Sequence, residues 1–349
     1  MRSLDEKRSL DALTSPGAVS SADALTSPGA VSSPDAIRAA GAIEHRPSAD
    51  QLSAAERTDR LAEPGFGQDF TDHMVTIRWS PADGWHEAVL SAYRPLVLDP
   101  ACVGLHYAQS VFEGFQARRQ GDGGVAVFRP QDHARRFQRS ARRMAMPELP
   151  EELFLAAVDA LVGQDRQWVP DRPGHSLYLR PLMFADETTI ALRPATSYRF
   201  VLIASPTSGY GADGGAVRAW LAEDEVRAVK GGTGDIKCAA NYGASLRAQA
   251  RAAAQGCNQV LWIDAAERRW VEELGTMNVF FVQGEGPRAR LVTPPLTGTV
   301  LPGITRDSLL RLARDAGYRV AEEPVGIEQW RSAGADGSFT EVFGCGSAA

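Results

Sequence analysis

The chain has 349 residues, 44% of them apolar, enough for a sizeable core or two. Its formal charge is −6 and its arginines lie scattered among acids, so no basic stripe supports a nucleic-acid partner. No run reaches the roughly 18 apolar residues of a membrane helix. Cys102, Cys238, Cys257 and Cys345 form no CxxC pair, so neither a metal site nor a disulfide framework is indicated, and reduced cytoplasmic thiols fit best.

Residues 1–62 are unlike the rest. The start, MRSLDEKRSL, has no apolar core and carries acids, which argues against a secretory signal or a transit peptide. The unit DALTSPGAVSSA begins at Asp11, recurs at Asp23 and decays after a third start at Asp35. Rich in Ser, Pro, Gly and Ala, the segment cannot bury enough surface to offset chain entropy and reads as a disordered leader.

A first, small α/β domain is expected over 63–207. FTDHMVTIRW alternates like a strand, and LHYAQSVFEGFQARR and VAVFRP read as further strand and turn. Pro130 and Asp132 sit where a helix begins, with Ala134, Phe137, Ala141 and Met144 as its apolar stripe. A second helix opens with Pro150 and two glutamates; SLYLRPLMFA and YRFVLIAS are strands. Residues 208–215, SGYGADGG, form the interdomain loop. A larger domain follows over 216–349. It is predicted to hold the strands AVRAWLA and NQVLWI, a strand run WVEELGTMNVFFV broken at glycine, and a helix GITRDSLLRLARDAG with Leu309, Leu312, Ala313 and Ala316 on one side. YRVAEEPV is a strand, IEQWRSAG a short helix, and FTEVFGCGSAA ends the chain.

The basic residues number 37, yet only Lys7, Lys230 and Lys237 are lysines. A chain that uses arginine almost everywhere keeps lysine where a guanidinium cannot serve, because an amine can lose its proton and attack a carbonyl. Lys7 lies in the leader, and Lys230 ends the charged run AEDEVRAVK. Lys237 sits in GGTGDIKCAANY, after a glycine-rich turn and before the helix-like AANYGASLRAQARAAAQ. A phosphate loop is ruled out, because Ile236 and Cys238 flank the lysine. GCGSAA at the end matches a dinucleotide fingerprint, but no helix follows it. On its residues alone, Lys237 is either a Schiff-base lysine or an ordinary surface lysine.

GGTGDIKCAANYGASLRAQ, GCNQVLWID, EELGTMNVFF and TPPLTGTVLPGITR, with FTDHM, LHYAQSVFEGFQA, FRP and SLYLRP upstream in the same order, closely resemble the branched-chain amino-acid aminotransferases. The resemblance covers Phe66 to Ala349. It implies an α+β, two-domain fold type IV enzyme that depends on pyridoxal 5'-phosphate. Family members continue for several tens of residues past the final turn, so the second domain is expected to be truncated.

By this resemblance Lys237 carries the cofactor as a Schiff base and shuttles the substrate proton. Glu273 faces the pyridine nitrogen, with Glu272 beside it an exposed acid, since strand neighbours point opposite ways. Tyr242 meets the phenolic oxygen. The phosphate falls to Arg136, to Ile304 and Thr305 at a helix start, and to Ser347, which stands where the family has threonine. Arg136 has four arginine neighbours on its helix, and a solvated face is its alternative reading. Tyr178 and Arg180 share a strand face and would meet the distal carboxylate of glutamate or 2-oxoglutarate. Phe66, Tyr107, Phe112, Ile190, Leu192, Tyr210 and Thr276 match positions that wall an apolar pocket, although each also suits a core. Tyr107, Ile190 and Leu192 are expected to reach the site from a partner subunit, which implies a homodimer.

The implied reaction transfers the amino group of L-leucine, L-isoleucine or L-valine to 2-oxoglutarate, giving L-glutamate, in branched-chain amino-acid biosynthesis. The alternatives are another class IV enzyme, such as a D-amino-acid aminotransferase, and a truncated inactive relative. No metal is implied.

Overall fold

The computed structural model describes residues 43–209, 216–286 and 289–347. The first sheet is built from β1 (Glu44–Arg46), β2 (His73–Ser80), β3 (Gly84–Ala92), β4 (Ser110–Phe112), β5 (Phe115–Arg119), β6 (Val125–Val127), β7 (Ser176–Ala185) and β8 (Tyr198–Thr207). Its order is β1-β3-β2-β8-β7-β5-β6, with β4 on β7, and only the β1–β3 pair is parallel. The helices of this half are α1 (Ala54–Ala62), α2 (Val103–Tyr107), α3 (Pro130–Arg143) and α4 (Glu151–Gln164).

One face of the sheet is covered by α3 and α4. Ala134, Phe137 and Ala141 of the predicted stripe are buried, and Phe137 meets Phe154 of α4 and Phe200 of β8 at ring distances of 5.6 and 5.8 Å. Aromatic pairs at such distances add to the area they bury.

The second half contributes β9 (Ala219–Leu221), α5 (Ala239–Gly243), α6 (Leu246–Ala254), β10 (Gln259–Ile263), β11 (Val271–Leu274), β12 (Met277–Gln283), β13 (Arg290–Thr293), α7 (Ile304–Asp315), β14 (Arg319–Glu322), α8 (Ile327–Asp336) and β15 (Phe339–Cys345). Its sheet runs β14-β13-β12-β11-β10-β9, and β15 lies antiparallel on β12. Gly275 (φ 61°) turns β11 into β12; an added Cβ there would lie 1.8 Å from Gln259 Oε1.

Three expectations need correction. The leader reaches too far at residue 62. Glu44–Arg46 pairs with β3, and Ser53 opens α1 with a capping box to Glu56, so order begins before the proposed boundary. LHYAQ is not all strand, because Leu105, His106 and Tyr107 close α2. The stretch after Lys237 is two helices, broken around Ala244–Ser245. On α7 the buried residues are Ile304, Arg306 and Leu310, whereas Leu312 is 63% exposed. Leu309, Leu312, Ala313 and Ala316 do share one side, lining a groove with Val282 and Leu291, where Leu309 packs against the Phe280–Leu310 cluster. Tyr210 and most of the interdomain loop fall outside the described residues.

Candidate active site

Between the two halves lies a cavity of about 280 Å³. Lys237 opens into it from the glycine-rich loop just before α5. The loop's path is fixed by Asn241, whose Nδ2 donates to Thr233 O (2.7 Å) and Ile236 O (3.0 Å). Gly234 allows it, because a Cβ there would come within 2.4 Å of Ala228 Cβ and 2.5 Å of Thr299 O. The first half grips the lysine backbone. Lys237 N donates to Ser140 Oγ of α3 (3.1 Å), and Lys237 O accepts from Phe112 N of β4 (3.0 Å). The amine is thereby placed 3.0 Å from Tyr242 Oη and 5.0 Å from the centre of the Phe112 ring.

Glu273 is fully enclosed behind the cavity, in a small void it shares with Tyr242, Thr276 and Leu301. Its Oε1 accepts from Leu301 N at 2.8 Å, and its Oε2 lies 3.2 Å from Arg227 Nε as an ion pair without an aligned hydrogen bond. Burial pushes this carboxyl up, against the pull of Arg227. Glu272 does point the opposite way along β11, but it is not exposed. It is buried and accepts from Thr299 Oγ1, because the Thr297–Thr299 loop covers that face of the sheet.

Arg136 is not on a solvated face either. It is 4% exposed on the inner side of α3. Glu113, at the end of β4, accepts from its Nε (2.6 Å) and Nη2 (2.8 Å), and from His133 Nδ1 (2.7 Å). Burial alone would raise Glu113, yet Arg136 and His133 outweigh it and hold the carboxyl far below its usual range. His133 is pushed down by burial and by Arg136 and Lys237, against the pull of Glu113, and its Nδ1 faces the Glu113 carboxylate, which can only accept. With Nε and Nη2 tied, Arg136 presents its remaining edge to the cavity and to Pro302 O at 3.5 Å.

There α7 begins. Its cap is Gly303, which has no side chain to satisfy the first N–H groups, so those of Ile304 and Thr305 are left for an anion. Gly303 also lets Asn278 close in, since a Cβ would stand 2.0 Å from Asn278 Oδ1. Thr305 Oγ1 and Ser347 Oγ lie 3.4 Å apart on the same wall.

The opposite end is aromatic. Arg180 Nη2 donates to Tyr178 Oη (2.9 Å) and stacks over Phe112 at 4.8 Å, while its buried Nε has no protein partner among the described residues. Phe66 leans on Tyr178 at a ring distance of 4.9 Å, and Thr276 lines the cavity as well, from the turn after Glu273. Tyr107, Ile190 and Leu192 do not join the cavity. They gather on the surface, where Tyr107 Oη donates to Ile190 O at 2.7 Å.

The donor set suits a phosphorylated pyridoxal. It offers an amine beside a phenol, a buried carboxylate behind the floor, and an arginine edge facing a helix start. Sequence reasoning did not find Glu113, His133, Ser140 or Asn278. Glu113 carried one sign, a lone acid between aromatics in a strand-like run. The other three are legible only once α3 and β12 face the loop.

The class IV aminotransferase family model matches residues 110–349, and the chain belongs to that family, whose cofactor is pyridoxal phosphate. Within it, several relatives are named branched-chain-amino-acid aminotransferases. A probable branched-chain-amino-acid aminotransferase of Streptomyces coelicolor is 55% identical over 88% of this chain and 84% of its own. Branched-chain-amino-acid transaminase 1 of Bacillus subtilis is 46% identical over 82% and 80%. Among solved structures, the branched-chain amino acid aminotransferase of Escherichia coli superposes with a TM-score of 0.66 at 25% identity, covering 79% of this chain and 83% of that one. The branched-chain aminotransferase of the thermophilic archaeon Thermoproteus uzoniensis, solved with norvaline, does so with 0.64 at 25%, covering 79% and 84%. No helix among the described residues is long and apolar enough to cross a membrane.

Proposed function

We propose that the chain is a branched-chain-amino-acid transaminase that moves the amino group of L-leucine, L-isoleucine or L-valine to 2-oxoglutarate, with pyridoxal 5'-phosphate held through Lys237. The observation that carries this reading is the Lys237 Nζ–Tyr242 Oη contact at 3.0 Å, set between the Arg136–α7 anion site and the Tyr178–Arg180 pair. When bound, the cofactor supplies an aldehyde and a ring that withdraws electrons from the substrate α-carbon.

With the cofactor bound, Glu273 would face the ring nitrogen and favour its protonated form, since a buried carboxylate favours a cation beside it. The Tyr242 hydroxyl meets the phenolic oxygen, and Arg136, Ile304, Thr305 and Ser347 bind the phosphate. Lys237 Nζ, shielded by Phe112 and Tyr242, would take the α-proton of the substrate and pass it to the carbon that was the cofactor's aldehyde. Phe66, Phe112 and Thr276 wall the aliphatic chain, and Arg180 with Tyr178 receives the distal carboxylate of 2-oxoglutarate or glutamate. Such a pocket separates the three branched chains weakly, since one methylene is worth about 1–3 kcal/mol.

The smaller domain, which takes in β1 and α1, and the larger one from residue 216 would close on this site. Tyr107, Ile190 and Leu192, exposed together, would complete a neighbour's pocket in a homodimer. The unpaired thiols among the described residues fit a cytoplasmic setting.

The test is borohydride trapping of the purified chain with pyridoxal phosphate, followed by peptide mass spectrometry and kinetics. The label should fall on Lys237, and L-leucine, L-isoleucine and L-valine should be used within about tenfold of one another. Lys237→Ala should lose at least about a thousandfold in turnover. A label elsewhere would refute the lysine assignment, and activity with D-alanine only would refute the substrate.

A further inference from the structure

We infer that Arg129 is a positioning residue for the phosphate end of the site, a clamp that sets the distance between α3 and α7. The inference rests on reading Arg136 and the α7 start as the phosphate cradle. That cradle comes in two halves from different parts of the chain, Arg136 on α3 and the N–H groups of Ile304 and Thr305 on α7. Arg136 does not hold the halves together, because its contact with Pro302 O, at 3.5 Å, is too long to fix a separation.

Arg129 does hold them. It is the residue just before α3, and its Nε donates to Asp132 Oδ2 in the first turn of that helix (2.7 Å). Its Nη1 crosses to the first turn of α7. There it donates to Asp307 Oδ2 (2.7 Å), Ser308 Oγ (2.8 Å) and Ile304 O (3.3 Å). One planar fork thus ties both first turns, a geometry that a point-charge ammonium cannot reproduce. The Arg129 side chain is 22% exposed while Asp132 and Asp307 are 36% and 42% exposed, so the fork is partly covered and its acids face solvent.

The backbone carries a second sign. Arg129 sits at φ 50°, ψ 49°, in the left-handed region that disfavours any residue but glycine. Glycine would suit that backbone better, so the side chain is what the position keeps. Anion binding by two half-sites is sensitive to their spacing, and displacements on the order of 1 Å weaken it strongly.

The experiment compares pyridoxal phosphate with pyridoxal, which lacks the phosphate. Dissociation constants for both are measured by absorbance or fluorescence on the apo chain and on Arg129→Gly, Arg129→Lys and Arg136→Ala. Arg129→Gly relaxes the backbone while deleting the fork. Its affinity for pyridoxal phosphate should fall on the order of tenfold, the scale of one charge-assisted hydrogen bond, while pyridoxal is unaffected. Arg129→Lys should show a smaller loss of the same preference, and it decides the matter should the glycine variant fail to fold. Equal losses for both ligands, or none, would overturn the clamp. Arg136→Ala separates the two readings. If it lowers the phosphate preference and neither Arg129 variant does, the clamp alone is wrong. If Arg136→Ala leaves the preference intact, the cradle assignment fails and the clamp falls with it.

Discussion

Glu113 shows how one side chain organises the site. Its carboxylate is completely buried, and it is tolerable there because Arg136 and His133 supply three charge-assisted or ring N–H bonds at 2.6–2.8 Å. Removing one partner of such a pair strands the other charge, so Glu113→Gln should destabilise the chain by about 3–5 kcal/mol at neutral pH. The sign of the pH dependence follows from the lowered carboxyl. A group depressed in the folded state stabilises above its ordinary range, and that contribution fades as the pH falls through and below about 4.3. Urea unfolding of wild type and Glu113→Gln at pH 7 and pH 4 should show the gap narrowing on acidification. A gap that widened would mean that Glu113 is not the buried anion described.

At the scale of elements, the site depends on close approach at the β4–β5 junction. Gly114 lies against β7, and a Cβ there would stand 1.8 Å from Tyr178 Oη and 2.7 Å from its Cζ. The tyrosine ring is braced by Phe66 and hydrogen-bonded to Arg180, so it cannot yield without moving both. Gly114→Ala should therefore raise the KM for 2-oxoglutarate by on the order of tenfold or more, with a smaller effect on L-leucine. Steady-state kinetics with each substrate varied in turn checks the split. Equal effects on both would show that Tyr178 does not distinguish the dicarboxylate.

The whole molecule leaves an apolar cluster uncovered. Leu192 is 84% exposed and Ile190 66%, beside Tyr107 and Leu105. Single exposed apolar residues are ordinary, but a contiguous set marks an interaction surface. The homodimer proposed above would bury it. Leu192→Arg should shift the mass measured by light scattering from dimer towards monomer. It should also lower kcat/KM for L-leucine by about tenfold or more, because an uncompensated charge enters the interface. A wild-type chain that runs as a monomer at micromolar concentration and is fully active would refute that assembly.

The sequence by itself determined the lysine's place on a glycine-rich loop, the glycine-capped helix start at Ile304 and the strand–helix alternation, because these are local. A lone lysine after a glycine-rich turn, glycine before Ile304 and Thr305, and a period-two or period-3.6 apolar pattern are each written in a few consecutive residues. Only the tertiary structure decided which of five arginines on α3 is buried, since all share one composition and the choice depends on which face meets Glu113. It decided, too, that Glu272 is covered, that Leu309 packs on the Phe280–Leu310 cluster and that Leu312 stays exposed, because burial belongs to the neighbour that arrives and not to the helix itself. The grip of Ser140 and Phe112 on the Lys237 backbone joins residues 97 and more apart along the chain, and no local pattern encodes such a distance.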